Sequence, residues 1–190
     1  GDVNGDGFAD VIVGAYEHDI GESNEGAAYI FHGSASGITS GNPSTANTTL
    51  QSNQDSAFLG ISVAGAGDVN GDGYADVIVG AFGYDAGQTN EGAAFVFHGG
   101  PAGIANGTPM TANATLQSDQ DFAGLGNSVA AAGDVNGDGF ADVIVASQAF
   151  TNGQVEEGAA FVFHGSASGI ASGSVASANA TLESNQVSAQ

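Results

Sequence analysis

The chain of 190 residues contains no cysteine, lysine, arginine or tryptophan, and only one methionine and three prolines. Without cysteine it forms no disulfides. Its 21 acidic side chains give a formal charge of −21, so it lacks the basic surface that binding to nucleic acid or anionic membranes requires. It has no run of about 18 apolar residues, which a membrane-spanning helix would need. These absences favour an extracellular protein in a salty or calcium-rich medium, with no nucleic acid partner and no membrane insertion.

An internal repeat of 66 residues runs through the whole chain without an insertion. The predicted units are 1–66, 67–132 and a truncated 133–190, all belonging to one repeat array. No signal peptide is visible in residues 1–190, and Gly1 opens directly on the first copy of a repeated motif. We therefore expect a mature fragment, a processed chain or a window cut from a longer one.

Each unit opens on the same ten-residue motif, Gly-Asp-Val-Asn-Gly-Asp-Gly-(Phe/Tyr)-Ala-Asp. We call these segments loop 1 (residues 1–10), loop 2 (67–76) and loop 3 (133–142). Oxygen-bearing side chains occupy the first, third, fifth and ninth positions after the glycine, and the aromatic seventh residue would offer its backbone carbonyl. Ca²⁺ takes about six to eight oxygen ligands, and a mid-loop glycine permits the tight turn. The predicted ligands are Asp2, Asn4, Asp6, Phe8 and Asp10; Asp68, Asn70, Asp72, Tyr74 and Asp76; Asp134, Asn136, Asp138, Phe140 and Asp142.

Two other interpretations of the loops are weaker. An EF-hand needs a glutamate at the twelfth position and flanking helices, but that position holds Val13, Val79 or Val145, within a β-branched run typical of a buried strand. A plain Asp/Asn/Gly turn would not require three mutually repelling carboxylates in every copy. We therefore expect about three Ca²⁺, one per repeat, which would reduce the formal charge from −21 to −15.

The remainder of each unit predicts four short strands and no helix. In the first unit they cover 9–15, 26–32, 48–52 and 60–66, separated by polar or Gly-rich loops such as 17–25 and 33–46. The first two strands are apolar on both faces, so their sheet needs neighbours on both sides. Radially stacked blades of a β-propeller supply them. A calcium-binding β-helix is the competitor, but its repeat is about nine residues.

The segments 58–64, 67–81 and 92–99 together resemble the FG-GAP repeat of integrin α-subunit head domains and their bacterial relatives. This resemblance covers essentially the whole chain. It implies that each repeat is one blade of four antiparallel strands, and that the loop between the two inner strands holds Ca²⁺. Departures from the pattern are Phe58-Leu59-Gly60, 122–126, Gly80-Ala81-Phe82 and Ala146-Ser147-Gln148. The last of these puts in question the loop beside the third blade.

By this count the chain holds a first blade without its inner strand and two full blades, or 11 strands. Three blades cannot close a ring, because propellers close with about four to eight. Either a longer chain or other copies would complete the particle. A strand donated head to tail would produce a homo-oligomer or a filament.

Several further residues recur in register. Asn47, Asn113 and Asn179 open Asn-x-Thr sequons and are candidate glycosylation sites, with Asn106 as an unrepeated fourth. His32, His98 and His164 are expected to be structural, since residues one blade apart cannot share a metal. Glu25, Glu91 and Glu157 are expected to accept backbone hydrogen bonds. None of these groups pairs into an acid–base catalyst, so we predict that the protein is not an enzyme.

The sequence thus predicts an extracellular, calcium-binding structural or adhesive β-propeller protein, with loops such as 17–25 available for partners. The alternative is a lectin-like or protein-ligand-binding module that uses inter-blade loops. Its candidate residues are Tyr16, Phe82, Tyr84 and Phe150, although packing within turns explains these aromatics equally well.

Overall fold

The protein is described by a computed structural model over residues 1–188. Within this range it forms twelve β-strands, no α-helix and three short 3-10 helices. The strands are β1 (Val11–Ala15), β2 (Ala27–Phe31), β3 (Thr48–Gln51), β4 (Ser62–Gly67), β5 (Asp76–Ala81), β6 (Ala93–Phe97), β7 (Ala114–Gln117), β8 (Leu125–Gly133), β9 (Asp142–Ser147), β10 (Ala159–Phe163), β11 (Gly173–Ser174) and β12 (Ala180–Glu183). The 3-10 helices are Pro43–Thr45, Pro109–Thr111 and Val175–Ser177.

The strands form three sheets, which we call blades 1, 2 and 3. Blade 1 is β1-β2-β3, blade 2 is β4-β5-β6-β7 and blade 3 is β8-β9-β10-β12, all with antiparallel neighbours. The missing inner strand of blade 1 was predicted. The two-residue β11, which pairs in parallel with β7 of the preceding blade, was not. Strand β1 begins two residues later than predicted, because the Asp10 N–H closes loop 1 by donating to the Gly1 carbonyl at 2.6 Å.

Blade 2 is buried on both faces, as the apolar runs predicted. All six residues of β5 are buried, and side chains alternate between the two faces of a strand. Val77 and Val79 pack towards blade 1 in a cluster with Leu50, whereas Ile78 packs towards blade 3 in a cluster with Phe161. The hydrophobic core therefore lies between the blades, which form a propeller-like array that is not closed.

The segment that leads into each inner strand also fastens two blades together. Leu59, just before β4, forms a parallel bridge with Gly26 of blade 1, and Leu125 forms the same bridge with Gly92 of blade 2. One stretch of chain thus docks on the preceding blade and then continues as the inner strand of its own blade.

Candidate metal centres

The three loops occupy equivalent places at one end of the blades. Loop 2 connects β4 to β5, loop 3 connects β8 to β9, and loop 1 precedes β1. Gly71 and Gly73 of loop 2 have φ values of 74° and 89°, a backbone region that glycine adopts without a steric penalty. This local geometry winds the loop tightly enough to turn alternate side chains towards its centre.

The first-position aspartate organises each loop by accepting backbone hydrogen bonds. In loop 2, Asp68 Oδ1 accepts from the N–H groups of Gly71 and Asp72 at 2.7 and 3.1 Å, and Oδ2 accepts from Gly73 at 2.8 Å. Asn70 Oδ1 accepts from the Asp72 N–H at 3.0 Å. Loops 1 and 3 contain the same bonds. The same sequence therefore folds to the same loop three times.

The ninth-position aspartate anchors the loop to its blade. Asp76 is fully buried; its Oδ2 accepts from the Val69 N–H and its Oδ1 from the Gly99 N–H, both at 2.8 Å. Asp10 and Asp142 make the equivalent two bonds. Because Gly99 follows β6, this carboxylate ties loop 2 to the end of β6.

The carboxylates experience opposing electrostatic effects. The Gly139 N–H lowers the pKa of Asp134 and outweighs burial, with further N–H donors and the charge of His164 acting in the same direction. For Asp2, burial acts to raise the pKa, but four backbone N–H groups together lower it. Burial raises the pKa of Asp76 by more than its two N–H donors lower it. A bound cation would act against this upward shift, because it favours the charged form of Asp76.

The donor chemistry of the loops suits a hard cation. Each loop offers three carboxylates, one amide oxygen and one backbone carbonyl, and the chain has no lysine or arginine to neutralise them. Within residues 1–188, no group of three Asp, Glu, His or Cys side chains is arranged to hold a metal ion. The carboxylates are hydrogen-bonded to the loop backbone instead. A carboxylate oxygen has two lone pairs, so Asp76 Oδ1 and Oδ2 each keep one for a cation.

The seventh-position aromatic side chains pack on the neighbouring repeat, a role that the sequence alone did not identify. The Tyr74 ring covers Gly5 of loop 1, where an added Cβ would lie 2.6 Å from the ring. Phe140 covers Gly71 of loop 2 in the same way. Phe8 has no preceding repeat within the described chain and remains 40% exposed. The aromatic ring thus couples adjacent loops while leaving its own carbonyl free.

The repeated histidines each stay beside their own loop. His98 Nδ1 lies 3.3 Å from Asn70 Nδ2, and His164 Nδ1 lies 3.1 Å from Asn136 Nδ2. The ring of His98 also rests against Gly169 of the next repeat. These contacts support the structural interpretation, in which the rings of His32 and His98 fill the space between a loop and the following repeat.

The sequon asparagines lie close to the same end of the blades. The exposed Asn47 accepts from the His32 N–H through Oδ1 at 2.9 Å, next to the Gly33 N–H that binds Asp10. Asn113 and Asn179 make the equivalent bond. These asparagines therefore hold the ends of β2, β6 and β10. Their glycosylation stays a prediction.

The repeated glutamates are buried, and the carboxylates of Glu25 and Glu91 accept backbone hydrogen bonds within their own repeats. Glu25 Oε1 accepts from the N–H groups of Ile20 and Glu22 at 2.8 and 3.2 Å, and Oε2 accepts from Asn53 at 2.9 Å. Glu91 makes the equivalent three bonds. Each carboxylate connects two segments of its repeat. In the first repeat these are the loop 17–25 and the turn after β3, which leads to the next blade.

The four aromatic candidates for ligand binding separate into two groups. Tyr84 and Phe150 pack edge-on against buried Phe rings of their own blades, with centroids 5.1 Å apart. Tyr16 and Phe82 instead flank Phe58, which stacks on Phe82 at 4.9 Å and adopts a φ of 56°. This cluster lies at the end of the blades away from the loops. The place of Phe58 in this cluster is not visible in the sequence, because it depends on an unusual backbone conformation.

Residues 1–188 contain no helix with the length and apolar character needed to cross a membrane.

Comparison with known proteins supports the repeat assignment. A family model described as the FG-GAP repeat matches residues 1–31, 59–97 and 125–163. The chain is 33% identical to integrin alpha-7 of Rattus norvegicus over 151 residues, which cover 79% of this chain and 12% of that protein. It is also 33% identical to phosphatidylinositol-glycan-specific phospholipase D of Rattus norvegicus over 171 residues, covering 86% of this chain and 20% of the relative. It is 41% identical to integrin alpha-5 of Xenopus laevis over 85 residues, covering 45% of this chain and 8% of that protein.

The chain thus spans a fifth or less of the length of these relatives. The repeat matches cover more than half of the chain and include all three loops and the two strands that follow each loop. On this evidence the chain belongs to the FG-GAP repeat family.

Proposed function

We propose that the chain is an extracellular calcium-binding module of a β-propeller that serves adhesion or ligand binding. The observation that carries this proposal is the oxygen-only donor set, repeated three times in a chain without lysine or arginine. Each of loops 1, 2 and 3 would hold one Ca²⁺ through the side chains of positions one, three, five and nine and the carbonyl of position seven. The ion would neutralise the crowded carboxylates, and its binding free energy would become folding free energy.

Calorimetric titration with CaCl2 tests the calcium proposal. The intact chain is expected to bind three ions, and Asp72→Ala is expected to bind two. At a free calcium concentration about 100 times Kd, each site adds roughly 2.7 kcal/mol of stability. Asp55→Ala is the matched control, because this exposed carboxylate lies outside the loops and its loss changes the net charge equally. A stoichiometry that Asp72→Ala leaves unchanged would mean that Asp72 holds no ion in loop 2.

We also propose a binding role rather than catalysis. The relatives include integrins and one protein named as a phospholipase. The phospholipase match covers only 20% of that protein. Within this chain the buried glutamates accept backbone hydrogen bonds and stand apart from one another in separate blades, so they are not arranged as an acid–base pair.

The open inner edge of blade 1 supports assembly with other copies. Val11 and Val13 of β1 are 43% and 46% exposed, whereas the equivalent Val77 and Val79 of β5 are 3% and 0% exposed. In blade 2 the equivalent valines pack towards blade 1 in a cluster with Leu50, and no blade precedes blade 1 within the described residues. A second copy that adds a strand antiparallel to β1 and packs a blade on this face would bury Val11 and Val13 and join the copies head to tail. Electron microscopy of native material would show filaments, and uniformly separate particles would contradict the assembly.

A lectin-like function remains the second candidate, favoured by the surface cluster of Tyr16, Phe58 and Phe82. Glycan-array binding at fixed calcium, lost in Phe82→Ala, would support it. Glycosylation of Asn47, Asn113 and Asn179 belongs to the extracellular proposal. Intact mass measurement before and after glycosidase treatment would show whether these asparagines carry glycans.

A further inference from the structure

The chain contains a chemically labile dipeptide, Asn-Gly, at several places. Glycine has no side chain to keep its backbone nitrogen away from the preceding asparagine side chain. Attack of this nitrogen on the asparagine Cγ atom requires the loss of the N–H proton and freedom of the backbone to rotate. The hydrogen bonds of the glycine N–H groups therefore decide which dipeptides can react. The dipeptides are Asn4-Gly5, Asn70-Gly71, Asn106-Gly107, Asn136-Gly137 and Asn152-Gly153.

Four of these glycine N–H groups are held in hydrogen bonds. In loops 1, 2 and 3, the N–H groups of Gly5, Gly71 and Gly137 each donate to the first-position aspartate at 2.7 Å. A carboxylate beside the nitrogen opposes the formation of a second negative charge there. The Gly107 N–H donates to the Thr49 carbonyl of blade 1 at 3.1 Å. The fold therefore protects four of the asparagines.

The Gly153 N–H is the exception, because it has no acceptor within residues 1–188. Asn152 and Gly153 are both exposed, and a Cβ added to Gly153 would have no neighbour within 4 Å. This exposure is a property of the repeat, since the equivalent Gly21 and Gly87 are also exposed although another blade follows theirs. Water therefore reaches the Gly153 nitrogen, and the surrounding space leaves the backbone free to rotate.

We propose that Asn152 is a deamidation site that releases the segment 151–157 from β12 as the protein ages. Hydroxide removes the proton of the Gly153 nitrogen, which then forms a bond to Asn152 Cγ. The Cγ–Nδ2 bond breaks, and Nδ2 leaves as ammonia with a proton from water, which regenerates hydroxide. Water opens the resulting succinimide ring at either carbonyl carbon and gives aspartate or isoaspartate. The reaction consumes water and needs neither an oxidant nor a reductant.

Deamidation replaces a hydrogen bond by a repulsion. Asn152 Nδ2 donates to Glu183 Oε2 of β12 at 2.7 Å, and the Asn152 N–H donates to Glu157 Oε1 at 2.9 Å. The product carries a carboxylate where the amide donor stood, so two like charges face each other across the contact with Glu183. The segment lies at the end of the blade away from loop 3, and the inference does not rest on calcium binding.

Incubation of the folded chain at mildly alkaline pH tests the site. Chymotrypsin cuts after aromatic residues and places the five dipeptides in separate peptides, so mass spectrometry measures the conversion of each. Asn152 is expected to react at least about tenfold faster than the other four asparagines, whose glycines must first break a hydrogen bond. In urea all five should react at similar rates. Equal rates in the folded chain, or a faster reaction at Asn70, would overturn the proposal.

Substitutions test the release of the segment. Asn152→Asp reproduces the aspartate product, and Asn152→Ala is the matched control, because Ala86 stands at the equivalent position of blade 2. NMR relaxation of the amide groups of 151–157 should show greater mobility in Asn152→Asp than in Asn152→Ala. Adding Glu183→Gln to Asn152→Asp should restore the rigidity, because the new amide donates to the new carboxylate. Equal mobility of the two single variants would refute the release.

Discussion

Replacing Gly80 by alanine tests how closely blades 2 and 3 approach each other. Gly80 is buried in the middle of β5, and an added Cβ would overlap the Gly126 carbonyl oxygen and lie 2.9 Å from its carbon. Both obstacles are backbone atoms, so no side-chain rotation can relieve the contact. The two blades must move apart, and the cluster between them loses contacts.

Two opposing effects set the magnitude of the change. Inserting a methyl group into a packed interior typically costs about 1–3 kcal/mol. Removing a glycine stabilises the folded state by about 0.4–1 kcal/mol, because the unfolded chain loses freedom. We therefore expect Gly80→Ala to lower the free energy of unfolding by about 1–2 kcal/mol. Urea unfolding followed by circular dichroism at one fixed calcium concentration measures this difference.

Ala146→Val is the matched control for this experiment. It adds two methyl groups at the equivalent strand position, where no further blade covers the side chain, and surface changes of this kind usually stay within about 0.5 kcal/mol. If Gly80→Ala were neutral or stabilising, the close approach of the blades would be wrong. An equal loss from Ala146→Val would mean that the face of blade 3 is covered in solution.

Three further predictions follow from the same contacts. Val77→Ala should lower the unfolding free energy by roughly 2 kcal/mol and Val11→Ala by less than about 1 kcal/mol, and equal losses in urea unfolding would indicate that another copy covers the exposed face of β1. Tyr74→Ala should cost about 1–2 kcal/mol by uncovering the glycine of the neighbouring loop, a loss measurable in the same assay and absent if the ring is free in solution. The raised pKa of Asp76 means that protons compete with calcium at higher pH there, whereas the lowered pKa of Asp134 keeps its carboxylate charged to lower pH. Calcium titrations of variants with one intact loop, between about pH 7 and 4, should therefore show loop 2 losing its ion before loop 3, and the reverse order would contradict this reasoning.

Features that depend on local sequence were predictable. Strand positions follow from short β-branched and aromatic runs, and burial on both faces follows from apolar residues at consecutive positions such as Val77, Ile78 and Val79. The repeated loop identified its own candidate ligands, since alternate oxygen-bearing residues around glycines form a recognisable pattern. The absent inner strand of blade 1 followed from counting strands against the repeat.

Features that depend on contacts between repeats were not predictable. Strand β11 is two residues long and exists only because blade 2 offers an edge to pair with. The position of Tyr74 over Gly5 joins residues 69 apart in sequence. The sequence shows that Ala146 replaces the glycine of the other repeats. The effect of this change on blade packing was not predictable, because it depends on how closely the backbone of the next blade approaches Gly14 and Gly80.

The two ends of the array present different surfaces. Inside the chain, one segment performs two tasks: Leu59 and its neighbour Gly60 dock on blade 1, and the following β4 completes blade 2. At one open end the edge of β1 is unpaired, and the face of β1 away from blade 2 is uncovered, with Val11 and Val13 43% and 46% exposed. At the other end blade 3 has all four strands, and Ala146 stands where the internal junctions have Gly14 and Gly80. A Cβ at Gly14 or Gly80 would overlap the backbone of the next blade, so a segment that docks on blade 3 must lie farther from β9 than Gly60 lies from β1.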